Sequence, residues 1–367
     1  MNRLYFFLGT EAELMKMYCV IKEAQKRGYD CRIVASGQND IRKSPYLSII
    51  GGKIDMDLAL QMPKNKTAVS YLKWFIGTKH AGIKRMINEN KENSLMLVHG
   101  DTLSTLMGSR IALKVGMDYM HVESGFRSFN WFSPFPEEID RYFASKYAVV
   151  NFCQKEEAAE YAAKTFKGKA VNTVYNTGIE ILIDAITNIE KEKMKNPVGK
   201  KFFLVAIHRQ ENLLSKSFMK NTFSKIFELS KRMKCVFIYH EQTQDTLKKF
   251  DLWDEFENCS NIIKIPRQGY VDFVNYVINS EFIIADGCGN QQEFYYLGKP
   301  YLIMRTDIED GSEGLGWNAV CFKGDYSKID EFVNNYKDFI KPSVTPKILP
   351  SEIIMDEIDR YFDGTKR

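Results

Sequence analysis

The sequence has no uninterrupted apolar run of about 18 residues, so no segment reads as a membrane span and no membrane partner is expected. It has no CxxC pair, and its seven cysteines are an odd number: Cys19, Cys31, Cys153, Cys235, Cys259, Cys288 and Cys321. Most lie in apolar runs, where a free thiol behaves as a small hydrophobe. That argues against a secreted disulfide scaffold and for a reducing cytoplasm. An excess of one charge is also lacking. The 51 basic and 47 acidic residues leave +4, no general reason to expect a nucleic-acid partner, although local basic groups can still meet an anionic small molecule. There is no HExxH, no HxH, no Walker loop and no GxGxxG, so a catalytic metal, ATP and NAD lack support and no cofactor is expected. "RLYFFLG", near the start, is a buried-strand pattern, too short for a signal h-region with its flanks.

What is present is an alternation. The 367 residues, 44% of them hydrophobic, are too many for one typical domain. Short β-branched and aromatic runs recur in two series. The first is "RLYFFLG", "YDCRIVAS", "SLMLVHG", "DYMHVE", "YAVVNFC" and "AVNTVY"; the second is "KFFLVAI", "KCVFIY", "NIIKIP", "EFIIAD", "PYLIMR" and "AVCF". Amphipathic helical stretches lie between most of them, as in "SKSFMKNTFSKIFELSKRM". Nearly continuous apolar strands alternating with helices predict parallel sheets covered on both faces, an α/β fold of two Rossmann-like domains. The charged, turn-rich "ITNIEKEKMKNPVGKK" reads as the connection, which sets the domains at 1–175 and 176–349. The closing "PSEIIMDEIDRYF" predicts a helix, 350–367, able to dock on either domain.

In open parallel sheets ligands bind at the carboxyl ends of strands, so the expected site is a cleft faced by both domains. Asp101 in "HGDT", Glu123 in "VESG" and His208 in "HRQEN" fall at such ends, and "PFPEE" adds Glu137 and Glu138, held by Pro134 and Pro136. Clustered carboxylates with a histidine suit proton transfer, and neighbouring carboxylates raise one another's pKa. Each residue also has a plainer reading. Asp101 can be a helix N-cap, Glu123 can pair with Arg127, and Glu137 and Glu138 can simply favour a helix N-terminus. Two strand–glycine–helix turns, at Gly9 and at Gly287–Gly289, can aim backbone N–H groups at an anion such as phosphate.

Taken in order, "GTEAELMKM", "VHGDT", "HVESGFRS", "SPFPEEIDR", "NTG", "AIHRQEN", "PRQGYVDFV", "ADGCGNQQEF" and "LGKPYLIMR" resemble the non-hydrolysing UDP-N-acetylglucosamine 2-epimerases, from Gly9 to Arg305. The resemblance implies a GT-B-type pair of Rossmann-like domains and a cytoplasmic homodimer. It also implies a UDP-sugar substrate inverted at C2, without metal or redox cofactor, for surface polysaccharide. UDP leaves C1 as a base takes the C2 proton; reprotonation on the other face and return of UDP give the epimer. By the same resemblance Asp101, Glu123, Glu137 and His208 are catalytic. Lys16, Arg141 and Arg209 meet substrate, Gln268 and Phe273 hold the base, Gly287, Cys288 and Gly289 cradle phosphate, and Glu293 binds sugar.

The departures from that family are also specific. Glu11 and Asp310 stand where two substrate arginines are expected, each turning +1 into −1, and Gly287 stands where serine is usual. Acids near a diphosphate are unfavourable unless offset, so a sugar with an added amino or hydroxyl group fits better than a uronate. Gln38 and His240 match positions of a second nucleotide-sugar site, but Asn39 replaces its histidine and Lys64 stands for its arginine. The rival activities are a hydrolysing 2-epimerase, which releases UDP and free sugar, a glycosyltransferase of the same architecture, and a non-catalytic nucleotide-sugar sensor.

Overall fold

The structure, a computed structural model, describes residues 1–58, 67–131, 136–287, 291–306 and 314–365. The chain divides into two compact units, Met1–Ile181 with Pro346–Arg367, and Leu182–Thr345. Among the described residues the first unit carries a seven-stranded parallel sheet: β1 (Arg3–Leu8), β2 (Asp30–Ala35), β3 (Met56–Asp57), β4 (Ser94–His99), β5 (Tyr119–Val122), β6 (Val150–Cys153) and β7 (Lys169–Asn172), in the order β3-β2-β1-β4-β5-β6-β7. The second carries six: β8 (Phe202–Ala206), β9 (Lys234–Tyr239), β10 (Ile262–Pro266), β11 (Ile283–Ala285), β12 (Tyr301–Ile303) and β13 (Ala319–Cys321), in the order β10-β9-β8-β11-β12-β13.

All the apolar runs of the sequence became strands. β3 escapes the sequence reading because two half-buried residues offer no periodicity. The central strands β1, β4 and β8 are apolar nearly throughout because helices cover both sheet faces. One core of the first unit gathers Tyr5, Phe7, Met96, Val98, Met107 and Ile111. That of the second is aromatic: Phe203 stacks on Phe282 with ring centroids 5.2 Å apart, and Phe223, Phe237 and Phe256 meet beside them. Burial of one such ring is worth roughly 1.5–3 kcal/mol. No helix among the described residues is long and apolar enough to cross a membrane.

Strand order reverses between β1 and β4 in the first sheet and between β8 and β11 in the second. Those are the switch points where the carboxyl ends of parallel strands open a crevice. Gly9 and Asp101 flank the first; His208 and Asp286 flank the second.

The division between units falls inside the Gly178–Lys191 helix. Glu180 in its first turn explains why that turn stays with the first unit. Its buried carboxylate accepts hydrogen bonds from the Ser351 N–H (2.7 Å) and Oγ (2.6 Å), and so caps the closing helix Pro350–Thr365. That helix is also tied to the first unit by Arg27 to Asp356 and Asp359 (both 2.7 Å), Lys169 to Glu357 (2.7 Å) and Tyr361 to Asp118 (2.7 Å). We expect Glu180→Ala to cost about 1–3 kcal/mol, because two buried donors lose their acceptor. Urea unfolding of the two proteins measures it.

Candidate active site

In the first unit the carboxyl ends of β1, β4 and β5 are neighbours, and each delivers a polar turn. Glu123 follows β5 with φ at 63°, a left-handed conformation that a non-glycine residue adopts at a cost and that is enriched at functional sites. Lys16, from the Glu11–Lys26 helix, reaches both its carboxylate oxygens at 2.8 Å, and His99 Nε2, at the end of β4, lies 2.9 Å from Oε2. Burial works against the Glu123 charge. Lys16 and then His99 outweigh it, so the carboxyl lies well below the usual range. The expected alternative, a Glu123–Arg127 pair, does not form. Arg127 Nε instead bonds Glu138 at 2.5 Å, and the Ser128 N–H adds 3.0 Å. The guanidinium sits 5.0–5.5 Å from the rings of Phe129, Trp131, Tyr142 and Tyr161. Glu138 is therefore a structural anion.

Asp101 is not the N-cap of the Leu103–Val115 helix; Thr102 is, accepting from the Ser104 and Thr105 N–H groups. Asp101 Oδ2 instead takes two bonds from Arg141, Nε at 2.8 Å and Nη2 at 2.7 Å. Arg141 comes from the helix Glu137–Ser145, whose first residue is Glu137. Glu137 Oε2 is buried and has no hydrogen-bond partner among the described residues. The segment with Pro134 lies outside the described residues, as do Lys64, Cys288, Gly289 and Asp310.

The turn at Gly9 is an anion cradle, but its anion is internal. The N–H groups of Gly9 (2.6 Å) and Thr10 (2.8 Å) donate to Glu13 Oε2, while Thr102 Oγ1 donates to Oε1 at 2.5 Å. The expectation that Gly9 offers its N–H to a ligand is therefore corrected. Glycine is required there for another reason: a Cβ would lie 1.8 Å from Ser104 Oγ. Gln38 is likewise engaged, accepting from the Ser104 N–H (3.1 Å) and Oγ (2.5 Å). Glu11 opens its helix, half-buried. His121 is a buried strut between Ser145 Oγ (3.0 Å) and Gly100 O (2.7 Å), and burial pushes its pKa down to about 4, so it stays neutral.

In the second unit Asp286, fully buried beyond β11, organises the turn that carries His208. It accepts from the His208 N–H (3.0 Å), the Arg209 N–H (3.0 Å) and Asn212 Nδ2 (3.0 Å). The imidazoles of His208 and His240 stack with centroids 4.7 Å apart. Burial, then the His208 and Arg267 charges, lower the His240 pKa. Gly287 lets this stack approach, since a Cβ would stand 2.7 Å from His208 Cε1. Arg209 bonds Glu211. Tyr270 Oη donates to Glu293 Oε1 at 3.2 Å. Gln268 lines a pocket of about 390 Å³ with Met194, Lys195, Asp272 and Tyr276, whereas Phe273 packs into the core against Phe294.

The UDP-N-acetylglucosamine 2-epimerase family model matches residues 22–338. The chain belongs to that family of isomerases. A UDP-N-acetylglucosamine 2-epimerase homolog of Methanococcus maripaludis is 31% identical over 331 residues, covering 87% of this chain and 88% of that one. A solved UDP-GlcNAc 2-epimerase of Neisseria meningitidis, bound to UDP-GlcNAc, superposes with a TM-score of 0.76 at 25% identity, covering 98% of this chain and all of that one. The fold is shared with a solved protein from Listeria monocytogenes, TM-score 0.82 at 22% identity, covering 100% and 98%.

Within the family frame, sequence reasoning missed Glu13, His99, Asp140 and Asp286. Glu13 had a signal, since it stands three residues after Thr10 in a capping box. Asp286 had one as well, an acid closing the apolar run "FIIAD". His99 and Asp140 are recognised only once their neighbours are in place.

The Lys16–Glu123 pair gives a prediction about pH. With its pKa lowered by folding, Glu123 contributes stability that is present above about pH 4, the ordinary value for a free Glu, and is lost as pH falls further. Lys16→Met removes the largest favourable cause. The gap in melting temperature between wild type and variant is expected to be widest near pH 7 and to narrow below about pH 4. Calorimetric scans across that range check it.

Proposed function

We propose that the chain inverts C2 of a UDP-activated N-acetylated amino sugar of the UDP-GlcNAc kind, by elimination and re-addition of UDP, for surface polysaccharide synthesis. Family membership supports the substrate class. The observation that carries the chemistry is Glu137: a buried carboxyl oxygen without a partner among the described residues, at the start of a helix whose Arg141 ties down Asp101.

The C2 hydrogen of a sugar is not acidic, so it leaves only as the C1–O bond breaks. The C–H electron pair becomes the C1=C2 bond, the C1–O pair goes to the UDP oxygen, and the proton goes to a carboxylate. A second group returns a proton to the opposite face of C2 while UDP oxygen adds to C1. Glu123, paired with Lys16 and His99, is a poor proton acceptor. It serves better as a fixed negative charge facing the electron-poor C1 as UDP leaves. Asp101 and Glu137 remain for the proton. His208, with the Asp286-ordered turn, is the group for the diphosphate.

Incubation of UDP-GlcNAc with the protein in heavy water, followed by proton NMR, tests this reading. Expected are the UDP-activated C2 epimer and deuterium at C2. Accumulating UDP with free 2-epimerised sugar indicates water attack at C1, the hydrolysing reaction. Absence of C2 exchange overturns the reading. Glu137→Gln is expected to lower kcat by about 10²–10⁴-fold while calorimetry shows UDP binding little changed.

A further inference from the structure

The Glu137–Ser145 helix carries a second buried acid that the mechanism above leaves unused. Asp140 is 2% exposed, and its Oδ2 is buried without a hydrogen-bond partner among the described residues. It stands three residues after Glu137, the spacing that puts side chains on one helical face, and Glu137 Oε2 is likewise buried and unpartnered. A buried ionised carboxylate with an unpaired oxygen is costly, and two side by side cost more.

Among the described residues no ion pair to Asp140 is found. Asp101, from the turn after β4, and Glu137, from its own helix, both act on it with negative charge. The nearby cations are committed elsewhere. Arg141 is held by Asp101, and Arg127 by Glu138. From the Leu103–Val115 helix packed against it, Arg110 lies over the Phe143 ring at 5.4 Å, and Lys114 is exposed.

We propose that Asp140 is a further positioning residue of this site, a neutral carboxylic acid set against Asp101 and Glu137 whose ionisation disables them. Burial, then the charges of Asp101 and Glu137, push its pKa up to about 8. Below that pH it adds no charge beside Asp101 and Glu137. Above it a third negative charge joins the group. Proton transfer between substrate and either carboxylate is then mismatched, and turnover falls.

The kinetic part of this inference rests on the epimerase reading, so the test has two layers. In wild type, kcat for C2 exchange is expected to fall about tenfold between pH 7 and pH 9, as one group near pH 8 ionises. In Asp140→Asn, which cannot ionise, the ratio of kcat at pH 9 to that at pH 7 is expected to stay within about twofold of unity. The same tenfold fall in both proteins overturns the inference and leaves the epimerase reading intact. No C2 exchange by wild type at any pH overturns the epimerase reading instead.

A second readout needs no activity. A carboxyl raised in the folded state keeps a proton that the unfolded chain gives up near pH 4, so wild-type stability declines from about pH 4 to about pH 8. Asp140→Asn lacks that part of the decline. Its melting temperature relative to wild type is expected to rise from pH 5 to pH 8; a constant difference contradicts the proposal. Should the variant fail to fold, the infrared spectrum of wild type decides. A protonated carboxyl band present at pH 6.5 and lost at pH 9.5 supports the proposal, and its absence at pH 6.5 overturns it.

Discussion

Burying a carboxylate in this protein demands a partner, and the supply of partners shapes the carboxyl edge of the first sheet. Glu13 is met by two backbone N–H groups and Thr102, Glu123 by Lys16 and His99, Glu138 by Arg127, and Asp101 by Arg141. These pairings lock three turns, after β1, β4 and β5, into fixed conformations, including the left-handed backbone of Glu123. Glu137 and Asp140 each keep one buried carboxyl oxygen outside the pairing. In the proposed chemistry Glu123 and Glu138, held by Lys16 and Arg127, are fixed charge and scaffold, whereas Asp101 and Glu137 carry the proton.

The second unit solves a related problem with a different result. One buried aspartate, Asp286, draws two successive backbone N–H groups and an asparagine amide onto itself, which turns the chain after β8 so that His208 stacks on His240. The glycine that follows Asp286 is needed because the imidazole occupies the space where a side chain would begin. Both units thus use an internal carboxylate to shape a strand-end turn, Glu13 in one and Asp286 in the other. Sequence motifs that look like ligand cradles are in part already filled by the protein itself.

That explains what the sequence made legible. The strands were readable because a strand covered on both faces must be apolar along its length, and the ends of those strands marked where Asp101, Glu123 and His208 stand. Family membership was readable because the motifs recur in order over most of the chain. Pairing was not readable. Arg127 is four residues from Glu123 yet bonds Glu138, because an aromatic cage of Phe129, Trp131, Tyr142 and Tyr161 holds the guanidinium away. Asp101 looked like a cap until Thr102 proved to be one. Such choices are made by packing between distant segments, which spacing does not encode.

In the proposed reaction the C1–O bond breaks while side-chain carboxyls carry the C2 proton and an intact diphosphate is held. The measurement that tests it most directly follows an oxygen-18 label placed in the bridge between C1 and the β-phosphorus of UDP-GlcNAc. Rotation of the freed phosphate before UDP returns is expected to spread the label into the non-bridging β-phosphoryl positions as C2 inverts, read by phosphorus NMR. Inversion at C2 with the label retained wholly in the bridge would contradict it.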